Sequence, residues 1–256
     1  MSSAYAGPGK YIQRAGEISR LSQHVAPLSR NVLVLIDPFL FERFSSSLQR
    51  DLEGQAVGTS GEARRREIAR VAAIARGKES QILVGVGGGK TADTVKIVAF
   101  EANARTVIVP TIASTDAPCS AVAVRYTSEG VYEGSTRLPR NPDPVVVDTS
   151  IVASAPVRFL VAGIGDALST WFEARMNLES RTNNYVAGGF PPTAAGIAIA
   201  RACHDVLMRD GLKAKQAVEA VSVPRQSKTS SKLIRCSAVS ASRTADAPQH
   251  TACMVD

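Results

Sequence analysis

The chain is poor in the residues that build metal, disulfide and nucleic-acid sites. Its 256 residues include three histidines, four cysteines and one tryptophan, and aromatic residues make up 5%. Cys119, Cys203, Cys236 and Cys253 form no CxxC pair and no Cys/His zinc spacing, which excludes a zinc finger or ribbon. No apolar run approaches the roughly 20 residues that cross a bilayer. The opening stretch MSSAYAGPGKYIQRAGEISR lacks the apolar centre of a signal peptide. The cytoplasm is therefore the expected compartment, with no membrane partner. The net charge of +7 has no interleaved aromatics beside it, so nucleic acid is not an expected partner either. No internal repeat is present.

What is present is an alternation of short apolar runs and amphipathic stretches. NVLVLID (31–37), ILVGV (82–86), TVIVP (106–110), AVAVRY (121–126) and PVVVD (144–148) read as strands, the first ending on Asp37. PFLFERFSSSLQR follows with Pro38 suited to a first helical turn. GEARRREIARVAAIARG places Ile68, Val71, Ala72 and Ile74 near one helical face, with its arginines opposite. This order predicts an α/β fold, with a parallel or mixed sheet up to about residue 152. From Val157 the chain reads as helices, in GIGDALSTWFEARMNLE, TAAGIAIARACHDVLMRDG and LKAKQAVEAV. The expected units are an α/β domain over 1–152, a helical region over 153–224 and an unstructured tail over 225–256. In the helical region Ile164, Ala167, Leu168, Trp171 and Ala174 share a face, so Trp171 is expected in a core.

The stretch GVGGGKTADTVK, Gly85 to Lys96, has the ingredients of a phosphate cradle. It fails both familiar patterns. The P-loop pattern needs glycine where Val84 stands, and the Rossmann fingerprint needs glycine at Lys90 or Ala92. The physics survives the mismatch: Gly87, Gly88 and Gly89 lie between a strand and a helix, where bare N–H groups and the helix dipole favour an anion. Asp37 could accept hydrogen bonds from ribose hydroxyls. On the residues alone, a tight glycine turn and a helix-capping Asp37 explain the same pattern.

Two further clusters stand out. PTIASTDAPCSAVAVRY (110–126) carries hydroxyls and one carboxylate, Asp116, between two strands; a solvent-facing turn would explain it equally. VAGIGDALSTWFEAR (161–175) carries Asp166, for which helix capping is the plainer reading.

Together these stretches resemble the glycerol dehydrogenases, within the iron- or zinc-dependent polyol dehydrogenases. The carrying residues are PGKYIQ (8–13), GVGGGKTADTVK, VPTIASTDAPCSAVAV, NPDPVVVDT (141–149) and AGIGDALSTWFEAR (162–175). The resemblance runs from about Pro8 to Pro224. It implies an α/β NAD-binding domain followed by a helical domain, with the active site between them. By that resemblance Asp37 holds the adenosine ribose, and Gly88, Gly89 and Lys90 hold the phosphates. Thr111 and Ser114 also bind NAD, while Ser120, Val122 and Tyr126 line the nicotinamide side. Val122 stands where leucine is common. Asp116 lies by the substrate, a small polyol such as glycerol oxidised to dihydroxyacetone, and Asp166 is the first ligand of a zinc ion. Zinc would lower the pKa of the bound alcohol as hydride leaves for the nicotinamide.

The sequence departs from the family at the metal. Two downstream histidines complete the family's zinc site, but this chain has only His24, His204 and His250, none in a matching position. A competent zinc site is therefore not expected in the chain as written. Residues 228–256 can be back-translated so that a shifted frame resembles the family's continuation, and an out-of-frame tail is the expectation. Apolar helix faces, including that of Trp171, would then be uncovered, favouring aggregation or a homo-oligomer.

Overall fold

The computed structural model describes residues 2–58, 63–183 and 189–222. The expectations about the tail, including the shifted frame and His250, lie outside the described residues.

Among the described residues there are eight strands: β1 (Lys10–Arg14), β2 (Val32–Ile36), β3 (Gln55–Gly58), β4 (Ile82–Gly87), β5 (Arg105–Pro110), β6 (Val122–Tyr126), β7 (Tyr132–Arg137) and β8 (Pro144–Asp148). Six form one parallel sheet in the order β1-β8-β5-β4-β2-β3, and β6 pairs with β7 as a separate antiparallel ribbon. The central strands are continuous apolar runs because a parallel sheet is covered on both faces. Side chains alternate along a strand. Leu33, Leu35, Leu83 and Ile108 therefore join one core with Ile68 and Val71 of α3 (Arg65–Gly77) and Val95 and Val98 of α4 (Gly89–Glu101). Val34, Ile36, Val84 and Val107 join the opposite core. There they meet Leu21 of α1 (Leu21–Val25), Phe44 and Leu48 of α2 (Pro38–Asp51) and Ile151 of α5 (Thr149–Ser154).

The strands read from apolar runs all form, within a residue or two of their expected ends. β1, β3 and β7 were not legible. β1 and β3 are the two edges of the sheet, and β7 lies in the half-exposed ribbon, so none needs the apolar run that marks a central strand.

Beyond the sheet, α6 (Val157–Ser180) packs on α7 (Ala194–Ser222). The stretches ending and beginning at 211 and 212 form a single helix. A helical glycine costs about 1 kcal/mol against alanine, but contact with α6 through Ala167, Cys203 and Leu207 carries α7 through Gly211. Trp171 is half-buried against Ala174, Ala200 and Ile197, so its face is covered by α7 and not laid open. Phe172, Met176 and Leu178 of α6, and Met208 and Leu212 of α7, are exposed. Among the described residues no helix is long and apolar enough to cross a membrane.

Asp148 ties the end of β8 to the start of the chain. Its carboxylate accepts from Gly16 N–H and Ile18 N–H, each at 3.1 Å, and from Ser150 N–H at 3.0 Å as the N-cap of α5. Burial pushes the Asp148 carboxyl up, but the Ser150 hydroxyl and these backbone N–H groups outweigh it and hold the group below the ordinary carboxylate range. Aspartate with a depressed pKa stabilises the fold above the unfolded value, about 3.9, and that contribution fades as pH falls through the folded value. Asp148→Ala is expected to cost about 2 kcal/mol, since several backbone donors lose a buried, charged acceptor. Urea melts of both chains at pH 7 and at pH 3 should show the gap narrowing in acid; a constant gap would assign the cost to packing alone.

Candidate active site

The order of the sheet reverses beside β2. The chain leaves β2 outward to β3, returns to β4 on the other side, and continues to β5. The crevice outside the C-terminal ends of β2 and β4 is thus a topological switch point, where open α/β sheets take their ligands. Asp37 follows β2 there, and the three glycines close β4 and open α4. Gly88 is the N-cap of α4, extended at φ −85° and ψ −168°, and no side chain caps the helix. Its first N–H groups and the positive end of its dipole are therefore available to an anion.

Space accounts for Gly87 and crowds Gly88, while a Cβ on Gly89 would meet only ordinary contacts at 3.7 Å and beyond. A Cβ on Gly87 would lie 2.6 Å from Thr91 Oγ1 and 3.1 Å from Asp37 Cβ, and one on Gly88 would lie 2.9 Å from Ile112 Cδ1. None of the three has positive φ, so a tight left-handed turn does not account for them. The Thr91 hydroxyl is buried at the same point and has no hydrogen-bond partner among the described residues. Asp37 does cap α2, with Oδ1 accepting from Phe39 N–H at 3.0 Å. Capping uses that oxygen and leaves the half-buried carboxylate beside the glycines. Lys90 stands exposed in the first turn of α4.

The second cluster lies over the first. Thr111, buried, donates its N–H to Gly87 O at 3.1 Å, and the next residues pass the glycines through Ile112 and Ala117. Ser114 is half-buried in this loop. Asp116 is only 2% exposed, so it does not sit on a solvent-facing turn. Its N–H donates to Asp166 Oδ2 at 3.2 Å. Asp166 lies well inside α6, which begins at Val157, so capping does not explain it. Its carboxylate serves a residue 50 positions away. Gly163 makes this approach possible: a Cβ there would lie 2.1 Å from Ala113 O and 3.4 Å from Ser114 Cα.

Ser120 and Val122 continue the loop into β6, and Tyr126 ends that strand half-buried with its N–H on Ala63 O at 3.2 Å. Sequence reasoning missed two residues behind this segment. Lys96 and Asp93 of α4 are buried, with Nζ 2.9 Å from Oδ1. Two opposite charges three apart in an otherwise apolar helix were the available signal.

The donors for a metal are not gathered in the same way. Among the described residues no group of three or more His, Cys, Asp and Glu could hold an ion. His24 Nε2 lies 2.7 Å from Glu17 Oε1, and His204 Nδ1 lies 3.2 Å from Asp205 Oδ1, with its ring edge-on to Phe172. A catalytic zinc takes three protein ligands, and the described donors around Asp166 do not fit it.

Residues 8–149 match the family described as iron-containing alcohol dehydrogenase. The chain is 44% identical over 225 residues to a glycerol dehydrogenase of Pseudomonas putida, covering 86% of this chain and 61% of that protein. It is 44% identical over 221 residues to a glycerol dehydrogenase of Thermotoga maritima, covering 84% and 60%. The crystal structure of a probable glycerol dehydrogenase from Sinorhizobium meliloti 1021 is 64% identical, with a TM-score of 0.83, covering 86% of this chain and 61% of that one. The chain spans less than two thirds of the length of these relatives.

Because the Gly163 contact is with a main-chain oxygen, a side chain there forces α6 away from the loop. Gly163→Ala is expected to destabilise the protein by about 2 kcal/mol, despite alanine's better helix propensity. Thermal unfolding beside Gly165→Ala, whose Cβ meets nothing within 4 Å, separates the two effects; equal melting temperatures would mean that α6 does not press on the loop.

Proposed function

The chain belongs to the iron-containing alcohol dehydrogenase family, and from that premise we propose that its β2–β4 crevice binds NAD for the oxidation of glycerol or a similar small polyol. The observation that carries this reading is the uncapped N-terminus of α4 at a topological switch point, with Gly87 packed too closely there to carry a Cβ. Glycerol dehydrogenases among the relatives support the substrate class.

In this reading the Asp37 carboxylate accepts the adenosine ribose hydroxyls, and the N–H groups of Gly88 and Gly89 hold the pyrophosphate with the Lys90 ammonium nearby. Thr111 and Ser114 close the cradle from the second loop. Ser120, Val122 and Tyr126 line the nicotinamide side, and Asp116 accepts a polyol hydroxyl. When bound, NAD supplies the hydride acceptor. The protein's own work is to bind, orient and exclude water, which together account for much of such a rate enhancement. Residues 1–152 form the nucleotide-binding unit and 153–224 the helical unit that brings Asp166 to the substrate loop. No step is assigned to zinc, because the described donors do not make its site. That mismatch favours a second outcome, a chain that binds NAD without turning over polyol.

Isothermal titration with NAD and NADP, beside glycerol oxidation with and without added zinc, tests the reading. NAD is expected to bind at least about tenfold more tightly than NADP, because the Asp37 carboxylate repels a 2′-phosphate. Asp37→Ser keeps a capping oxygen for α2 and should narrow that preference. Failure to bind NAD overturns the reading. Turnover that depends on zinc would make the chain a full enzyme and overturn the donor mismatch.

A further inference from the structure

We propose that Lys96 is a positioning residue, whose buried ammonium clamps the segment Ala117–Val122 to α4 and so sets the nicotinamide side of the crevice against the phosphate cradle. This rests on the crevice being a dinucleotide site.

Lys96 is 2% exposed and stands among the largest fully buried side chains of the protein. Nζ donates to Ala117 O at 2.9 Å, to Ser120 Oγ at 3.2 Å and to Val122 O, and pairs with Asp93 Oδ1 at 2.9 Å. Three N–H donors thus meet four acceptors, and the ammonium is fully satisfied. Asp93 supplies the counter-charge, and its Oδ2 accepts from Val124 N–H at 3.2 Å. Ser120 Oγ in turn donates to Val122 O at 3.0 Å. One buried pair therefore holds a segment running from the 3₁₀ turn after Asp116 into β6.

The other end of that segment reaches the cradle. A Cβ on Gly89 would lie 3.7 Å from Ala117 Cβ, so the residue held by Lys96 also borders the first turn of α4. Lys96 sits about 10 Å along the helix from that turn, at 1.5 Å per residue. The helix thus acts as a ruler between phosphate site and β6. An apolar side chain of similar size would fill the space as well, and a buried ion pair is weak evidence for stability. Three directed hydrogen bonds to one loop are what a lysine adds.

Removing one charge alone would leave the other buried and unpaired, so the test variant is Asp93→Asn with Lys96→Met, its fold checked by circular dichroism. NADH and ADP-ribose are titrated into the full chain and the variant, following the emission of the bound dihydronicotinamide, and amide hydrogen exchange is recorded over 117–124. The expected result is ADP-ribose affinity held within about twofold, NADH affinity reduced about tenfold or more, loss of the NADH emission change, and faster exchange at 120–124. Affinities that fall together, or not at all, would reduce Lys96 to a core residue and overturn the proposal. If the unmodified chain binds neither nucleotide, the dinucleotide reading fails with it, and unchanged exchange at 120–124 separately removes the clamp. Should the first variant not fold, Asp93→Asn with Lys96→Leu removes the same donors and carries the same comparison.

Discussion

The burial of α4 is the constraint on which the rest of the structure depends. Every residue from Thr91 to Ala99 is buried, because the helix lies between the sheet, α3 and the β6–β7 ribbon. A helix enclosed in this way has no freedom to shift its N-terminus. Its first turn must meet the end of β4 at close range, and Gly87 there has no room for a Cβ beside Thr91 and Asp37. The same enclosure explains Asp93 and Lys96. Charges inside a helix without a wet face persist only when paired and hydrogen-bonded, and here the pairing reaches across to the next loop.

A second close approach joins the two halves of the chain. Gly163 lets the backbone of α6 touch the backbone at Ala113, and Asp166 then accepts the Asp116 N–H. Neither contact depends on a strong attraction. Each depends on the absence of a methyl group, which makes the junction sensitive to changes far smaller than a lost salt bridge. The Asp166 carboxylate is therefore brought to the proposed substrate loop by packing, and there it accepts the Asp116 N–H.

The described residues divide unevenly between the two parts of the expected chemistry. The features proposed for the nucleotide come together: an uncapped helix N-terminus, a tightly packed Gly87, a carboxylate at the switch point and a loop laid over them. Of the proposed metal ligands only Asp166 is among the described residues, while His24 and His204 pair with Glu17 and Asp205. Family membership places the chain among the iron-containing alcohol dehydrogenases.

The sequence by itself determined the central strands, since Val32–Ile36, Ile82–Gly87 and Arg105–Pro110 are apolar runs long enough to be buried on both faces. It also offered Gly87–Gly89 and Asp37 as a candidate site, with a tight glycine turn and a helix-capping Asp37 as an equal reading of the same residues. The edge strands β1 and β3 escaped it: each pairs on one side only, and such strands need no apolar run. Capping of Asp166, a solvent-facing Asp116 and a glycine turn at 87–89 were each plausible locally. Only the tertiary structure decided against them, because burial, backbone approach and φ are set by what packs on a residue from elsewhere in the chain. For the same reason Lys96 could be read as a solvated helix charge until its four partners, contributed by α4 and by Ala117, Ser120 and Val122, were brought around it.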